Sequence, residues 1–356
     1  MKGRADNSMI IVHLLKWYRE YGRDLPWRGT TDPYKIWISE IILQQTRVAQ
    51  GRDYYLRFIG RFPDIQSLAA ADEEEVLKLW QGLGYYTRAR NVHAAAKQMM
   101  STFHGTFPST HSHIISLKGV GEYTAAAIAS IAFNEPYAVV DGNVFRVVAR
   151  LFAIELSIHT SEGKKMIKEI AQSLLDPENP GRYNQAVMDF GAMICTPAQP
   201  KCMSCVLQEY CMAFSENRIG KFPVNDRKIS VKDRYFNYLH IQHHGNTFLH
   251  KRNGSDIWKN LFEFPLIETP GPSDFAELEK TKAFRQLFSK VSSLSVDHRL
   301  TIKHQLTHQA IHTHFYRIII PDELPYNPPQ EILKIENEQL QDYPVSRLMH
   351  KYLETI

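Results

Sequence analysis

The sequence predicts a two-domain protein, an all-α helix-hairpin-helix domain carrying a cysteine loop, followed by a smaller α+β domain. Three observations carry that prediction. Apolar residues recur at helical spacing through the first two thirds of the chain, with a glycine turn set between two of the helical runs. Beyond Asp233 the pattern changes to short strand-like runs broken by turn residues. At 356 residues the chain exceeds one usual core, and 44% hydrophobic residues are enough to fill two. The boundaries read as a helical domain at 1–214, a polar and charged linker at 215–233 (S-E-N-R-I-G-K-F-P-V-N-D-R-K-I-S-V-K-D), and the α+β domain at 234–356.

The glycine turn lies in I-I-S-L-K-G-V-G-E-Y-T-A-A-A-I-A-S-I-A-F, which starts at Ile114. Leu117 to Gly121 breaks one helix and Thr124 to Phe133 continues another, so Gly119 and Gly121 are expected to supply a positive-φ turn. Such a turn presents backbone N–H groups and a helix N-terminus to an anion such as a DNA phosphate, without reading base sequence. A plain interhelical turn accounts for the same glycines. Next comes V-V-D-G-N at 139–143, where Asp141 stands at the N-cap position of a helix. Capping alone explains an aspartate there. A functional reading uses the same geometry, in which amide donors and the helix dipole lower the pKa and keep an anion ready for developing positive charge.

In chain order, Ile10 to Tyr21 is helical and Gly22 to Pro26 breaks the pattern before Trp27-Arg28. Asp32-Pro33 marks a helix start, and the helix Tyr34 to Ala49 carries an isolated acid, Glu40. Ile36, Trp37 and Leu43 flank it at helical offsets with Gln44 as the polar neighbour, an environment that raises a carboxyl pKa toward general-acid use. The amides of Gln44 and Gln45 suit base edges or a minor groove, although ordinary helix polarity also explains them.

A helix at Ala69 to Trp80 leads into G-L-G-Y-Y-T-R-A-R, where Tyr85 on a glycine turn beside arginines suits stacking on bases or wedging between them. His93 to Met100, Met166 to Leu175 and Tyr183 to Ala192 read as further helices. The four cysteines follow as Cys195-x6-Cys202-x2-Cys205-x5-Cys211. Their crowding argues for metal over disulfides, and the residues alone leave a 4Fe-4S cluster and a structural zinc both open.

In the α+β part, strands are predicted at Tyr235 to Gln242, Thr247 to Lys251, Leu261 to Ile267, Leu300 to Leu306 and His312 to Ile320. Helices are predicted at Phe275 to Val291 and Ser346 to Glu354. His243-His244-Gly245-Asn246 reads as a turn, and His304, His308, His312 and His314 as polar strand and loop positions. A net charge of +4 suits a polyanionic partner without establishing one. With no long apolar run and no cleavable leader pattern, a cytoplasmic, nucleoid-associated protein without membrane attachment is expected.

Taken together, L-P-W-R at 25–28, S-E-I-I-L-Q-Q-T at 39–46, G-L-G-Y-Y-T-R-A-R-N at 82–91, L-K-G-V-G-E-Y-T-A at 117–125, V-D-G-N-V-F-R-V at 140–147 and the cysteine spacing resemble the MutY family of adenine DNA glycosylases. The resemblance covers nearly the whole chain. It implies a monomer that binds double-stranded DNA and removes adenine mispaired with 8-oxoguanine or guanine. Glu40 would protonate the flipped base and Asp141 would stabilise the oxocarbenium ion, with Tyr123 and Asn143 beside Asp141. Endonuclease III-type lyases have a lysine where Tyr123 stands, so the phenol implies a monofunctional enzyme. The resemblance further implies a 4Fe-4S cluster on Cys195, Cys202, Cys205 and Cys211, and base contacts from Arg28, Gln185, Gln44 and Tyr85. The C-terminal part, including Trp258 to Pro265, resembles a Nudix fold without its metal-binding acidic helix, which implies a reader of 8-oxoguanine. There, Leu306-Thr307-His308 stands where the family has Phe-Ser-His, so Thr307 and His308 would carry the contact.

Overall fold

A computed structural model describes residues 2–226, 230–289 and 291–356. Its described residues divide into two compact units, one within 1–70 and 91–227, the other within 71–90 and 228–356. The polar stretch expected to be a linker therefore belongs to the helical unit up to residue 226, where the buried Phe222 anchors it; residues 227–229 lie outside the described residues. A second departure is that residues 71–90 pack with the C-terminal unit. Helical periodicity states that a face is apolar, and it carries no information about which core covers that face.

The helical unit is built around Pro180–Met193, which packs against Lys2–Tyr21, Glu122–Phe133 and Gly142–Leu151. Ile10, Leu14 and Trp17 meet Val144, Val147, Leu151, Val187 and Phe190 in one core. Two glycines allow the close approach. A Cβ on Gly181 would lie 2.6 Å from the Ser130 carbonyl oxygen, and one on Gly191 would lie 2.7 Å from the Asn143 Cβ.

Pro33–Leu43 starts as predicted, with the Asp32 side chain accepting from the Tyr34 and Lys35 amides. It ends six residues before the expected Ala49, because Gln44 leaves helical geometry and Gln45 takes a φ of 57° before Val48–Arg61 begins. No glycine or proline marks this break, which is why periodicity ran through it. The expected helix at 69–80 likewise divides into Ile65–Ala70 and Glu73–Leu79.

The second unit holds a seven-stranded sheet: β1 (Lys232–His243), β2 (Asn246–Lys251), β3 (Phe262–Glu263), β4 (Leu266–Thr269), β5 (Ser295–Gln305), β6 (Gln309–Ile319) and β7 (Ile332–Glu336). The order is β3-β2-β1-β6-β5, with β4 pairing β1 and β7 pairing β2. Parallel pairing of β1 with β6 puts β1 at the centre, and both its faces are buried. Phe236 and Tyr238 enter one core with Leu348, Met349 and Tyr352 of Arg347–Leu353. Leu239 and Ile241 enter the other, with Leu278 of Phe275–Glu279 and Phe284 of Lys282–Leu287. Thr281 caps the second of these short helices and so divides the single helix expected at 275–291. β7 carried too weak a strand pattern to be foreseen.

The segment 71–90 is tied to this sheet unit by Lys251 Nζ to Glu74 Oε1 at 2.7 Å, Tyr86 Oη to the Val345 carbonyl at 3.1 Å, and the Val345 amide to Gln81 Oε1 at 3.2 Å. Since overpacking a tight helix contact costs about 1–3 kcal/mol, Gly181→Ala should lower the urea midpoint by a corresponding amount with the slope unchanged. An unaltered midpoint would mean that the two helices can separate freely at this crossing.

Candidate active site

Glu40 sits in the middle of Pro33–Leu43 with Ile36 and Trp37 fully buried around it, and is itself only 7% exposed. The Tyr123 hydroxyl, from the first turn of Glu122–Phe133, donates to Glu40 Oε2 at 2.5 Å. Burial raises the carboxyl pKa, and the nearby Asp141 charge adds to the rise. The Tyr123 hydrogen bond and the Arg28 guanidinium oppose it. The expectation of a shielded acid is met, and Tyr123 and Asp141 belong to the same electrostatic neighbourhood. Burial and the two carboxyls also push the Tyr123 phenol well above its ordinary value, so it stays protonated and remains a donor.

Asp141 caps Gly142–Leu151, its Oδ1 accepting from the Val144 amide at 2.7 Å and its Oδ2 from Asn143 Nδ2 at 2.8 Å. The cap is as expected, but the pKa direction is not. Burial raises it by more than the Val144 and Asn143 hydrogen bonds and the Arg146 charge lower it. The sequence expectation weighed only the local donors and the helix dipole, whereas folding half-buries this helix start, and the desolvation cost of the anion outweighs those donors.

Arg28 and Gln185, expected at the base pocket, both lie in this unit. Arg28 Nη2 donates to Asp189 Oδ1 at 2.9 Å, and among the described residues its Nε–H is buried with no partner, a donor that a base acceptor could satisfy. Gln185 is buried, and its Oε1 accepts from the Tyr18 hydroxyl at 3.1 Å. Asp189 and Arg23 escaped the sequence reading. Asp189 is fully buried and takes the Arg23 amide at 3.0 Å and Arg23 Nε at 3.1 Å as well as Arg28. An acid four residues after Gln185 in the apolar run A-V-M-D-F-G was the signal for it.

Gln44 is engaged differently from the expectation. Its Nε2 donates to Thr124 Oγ1 at 3.3 Å, while Gln45, at the left-handed turn, is the exposed amide. In the hairpin, Gly119 has a φ of 75° and a Cβ there would meet the Asn91 Cβ at 2.5 Å. Gly121 does not share that conformation; it is an extended N-cap with a φ of −101°. Lys168 pairs with Glu122 at 2.8 Å and so offsets the one acid in this helix's first turn.

Cys195, Cys202, Cys205 and Cys211 line one largely apolar cavity with Val147, Leu151, Phe190 and Leu207. None is in a disulfide. Arg150 reaches Cys195 Sγ with Nη1 at 3.4 Å, and its carbonyl accepts from Cys211 Sγ at 3.5 Å. Burial pushes the Cys205 thiol up to about 12 and raises Cys202 and Cys211, so these sulfurs become thiolates only by exchanging protons for a cationic centre. Four convergent thiols in an apolar enclosure fit a thiolate-bound metal group. Arg146 joins this loop to the acid end of its helix, donating from Nε to the Cys195 carbonyl at 2.7 Å and from Nη2 to Asn143 Oδ1 at 2.9 Å.

In the second unit, the exposed Tyr85 hydroxyl and Thr307 Oγ1 lie 2.9 Å apart, so two residues 222 positions apart in sequence share one surface. Thr307 and the exposed His308 form the turn between β5 and β6, and Leu306 packs against the core that contains Phe236. No helix among the described residues is long and apolar enough to cross a membrane.

Residues 38–177 match the HhH-GPD superfamily of base excision DNA repair proteins, and residues 237–355 match the NUDIX domain. An adenine DNA glycosylase of Buchnera aphidicola subsp. Baizongia pistaciae (strain Bp) is 37% identical over 313 residues, covering 86% of this chain and 85% of its own. The chain belongs to the adenine DNA glycosylase family. A mouse adenine DNA glycosylase is 42% identical over 226 residues, covering 61% of this chain and 44% of its own. Among solved structures, a thermostable thymine-DNA glycosylase superposes with a TM-score of 0.56 at 29% identity, covering 60% of this chain and 98% of its own.

Since burial dominates the Glu40 shift, 13C carboxyl NMR should place its titration above that of exposed glutamates. Tyr123→Phe removes a hydrogen bond that stabilises the ionised form, so the midpoint should move further up. A midpoint that is unmoved or falls would contradict this account of the carboxyl.

Proposed function

We propose that this adenine DNA glycosylase hydrolyses the N-glycosidic bond of adenine paired with 8-oxoguanine or guanine in double-stranded DNA, and leaves an abasic site. The observation that carries the reading is the buried, Tyr123-bonded Glu40 in the electrostatic neighbourhood of Asp141. A flipped adenine offers N7 as a proton acceptor, and Glu40, with its raised pKa, donates to it. Electrons of the C1'–N9 bond then leave with the base, and positive charge develops on the sugar.

Asp141, held by the Val144 amide and Asn143, opposes that charge. Water adds at C1' and gives its proton to a carboxylate. Tyr123 carries no amine, so no Schiff base forms and the strand stays intact. Arg28, with its unpartnered Nε–H, and Gln185 supply hydrogen bonds to the adenine.

Backbone amides at Gly119 and Gly121 take a phosphate, Gln44 helps hold the helix that precedes the exposed Gln45, and Tyr85, Thr307 and His308 meet the opposite base. The shared surface of Tyr85 and Thr307 supports that last assignment. Cys195, Cys202, Cys205 and Cys211 would hold a 4Fe-4S cluster, whose metal-thiolate bonds would fix the loop carrying Lys201.

Single-turnover base release across A:8-oxoguanine, A:G and T:G duplexes should favour adenine, and preferential thymine release would overturn the assignment. Asp141→Asn should retain duplex affinity while release slows at least about 100-fold; release at the unaltered rate removes Asp141 from the chemistry. Borohydride should trap no protein–DNA adduct. The purified protein should carry iron and a broad visible absorption, whereas stoichiometric zinc without iron would refute the cluster.

A further inference from the structure

A feature of the second unit has no part in this chemistry. His243 ends β1, His244 and Gly245 form the hairpin turn to β2, and Asp322 lies in the turn that follows β6. We propose that His243, His244 and Asp322 form a binding site for a first-row divalent metal of the zinc class, clipping the β1–β2 hairpin to the turn at 321–324.

Adjacent residues on a strand normally point to opposite faces. Here His244 adopts a left-handed φ of 50°, uncommon outside glycine, and the two rings come to lie with centroids 4.2 Å apart. Asp322 is aimed at the pair. Its Oδ1 accepts from the His244 amide at 3.0 Å and lies 3.5 Å from His244 Nδ1. One ligand atom from each residue can be chosen so that all three fall within 4.8 Å of one another. Donors around tetrahedral zinc are roughly 3.3 Å apart, given bonds of about 2.0–2.1 Å, so small side-chain rotations close the set.

The decisive detail is the tautomer of His243. Its Nε2 lies 3.0 Å from the Leu324 carbonyl oxygen, which can only accept, so Nε2 carries the proton and Nδ1 keeps its lone pair. A ligating histidine characteristically has this arrangement, with the second ring nitrogen anchored to an acceptor that fixes the tautomer. One short turn supplies both the carboxylate and that anchor, and the turn is itself closed by the Leu324 amide donating to the Pro321 carbonyl at 3.0 Å. Two imidazoles and one carboxylate suit zinc, cobalt or nickel over magnesium or calcium, with water completing the coordination.

Calorimetric titration of tag-free, full-length protein with Zn2+ tests the site. The wild type should show a binding event that weakens at least about tenfold in both His244→Ala and Asp322→Ala. Both side chains are more than half exposed, so their removal leaves the fold intact. Added Zn2+ should raise the unfolding temperature of the wild type by more than that of either variant. Any binding by the four-cysteine loop persists in both variants and is thereby separated. Identical isotherms in wild type and variants, or no event in the wild type up to about 1 mM Zn2+, would overturn the proposal.

Discussion

A carboxyl removed from water and then given one hydrogen bond is the constraint on which the helical unit depends. Glu40 has Ile36 and Trp37 around it and the Tyr123 hydroxyl on one oxygen, so its proton is held by the packing of two helices. Two opposing requirements meet there. Burial favours the protonated form, while Tyr123 and Arg28 favour the ionised one, and their balance makes the proton available to a neighbour. Arg28 contributes from a fixed position because the buried Asp189 holds it together with Arg23.

The helix Gly142–Leu151 joins two other parts of the unit. Its first turn caps with Asp141 and carries Asn143, and its next turns carry Arg146 and Arg150 to the carbonyls and sulfur of the cysteine loop. Asn143 in turn lies against Gly191, where no side chain could intervene. Asp141 therefore stands at one end of a rigid, hydrogen-bonded helix whose other contacts are with the loop from Cys195 to Cys211. Rigidity of this kind keeps a half-buried carboxylate oriented, and desolvation raises its pKa.

In the sheet unit, a stretch borrowed from far earlier in the chain completes the surface. Glu73–Leu79 and the turn through Tyr85 are bonded to residues near Lys251 and Val345, and Tyr85 meets Thr307. Leu306 leaves the exposed polar pair of the turn free of the core, because its own side chain faces inward.

Local rules read from residue order settled a good deal: the helical character of the first two thirds, the caps at Asp32 and Asp141, the shielding of Glu40 by its own helix neighbours, the clustering of the cysteines and the change to strands beyond residue 233. Each of these depends on side chains within a turn or two of one another. What depends on distant chain was decided only by folding. The pairing of Tyr123 with Glu40, the enclosure that reverses the expected Asp141 shift, the anchoring of Arg28 by Asp189 and the transfer of residues 71–90 to the second unit all lie in this class. The unmarked break at Gln44-Gln45 belongs there too, since the side chain of Gln44 is held by Thr124, a residue 80 positions away. Periodicity and capping report which face of an element is apolar and where it starts. Desolvation and long-range hydrogen bonds depend on what covers that face, and the order of residues alone does not contain it.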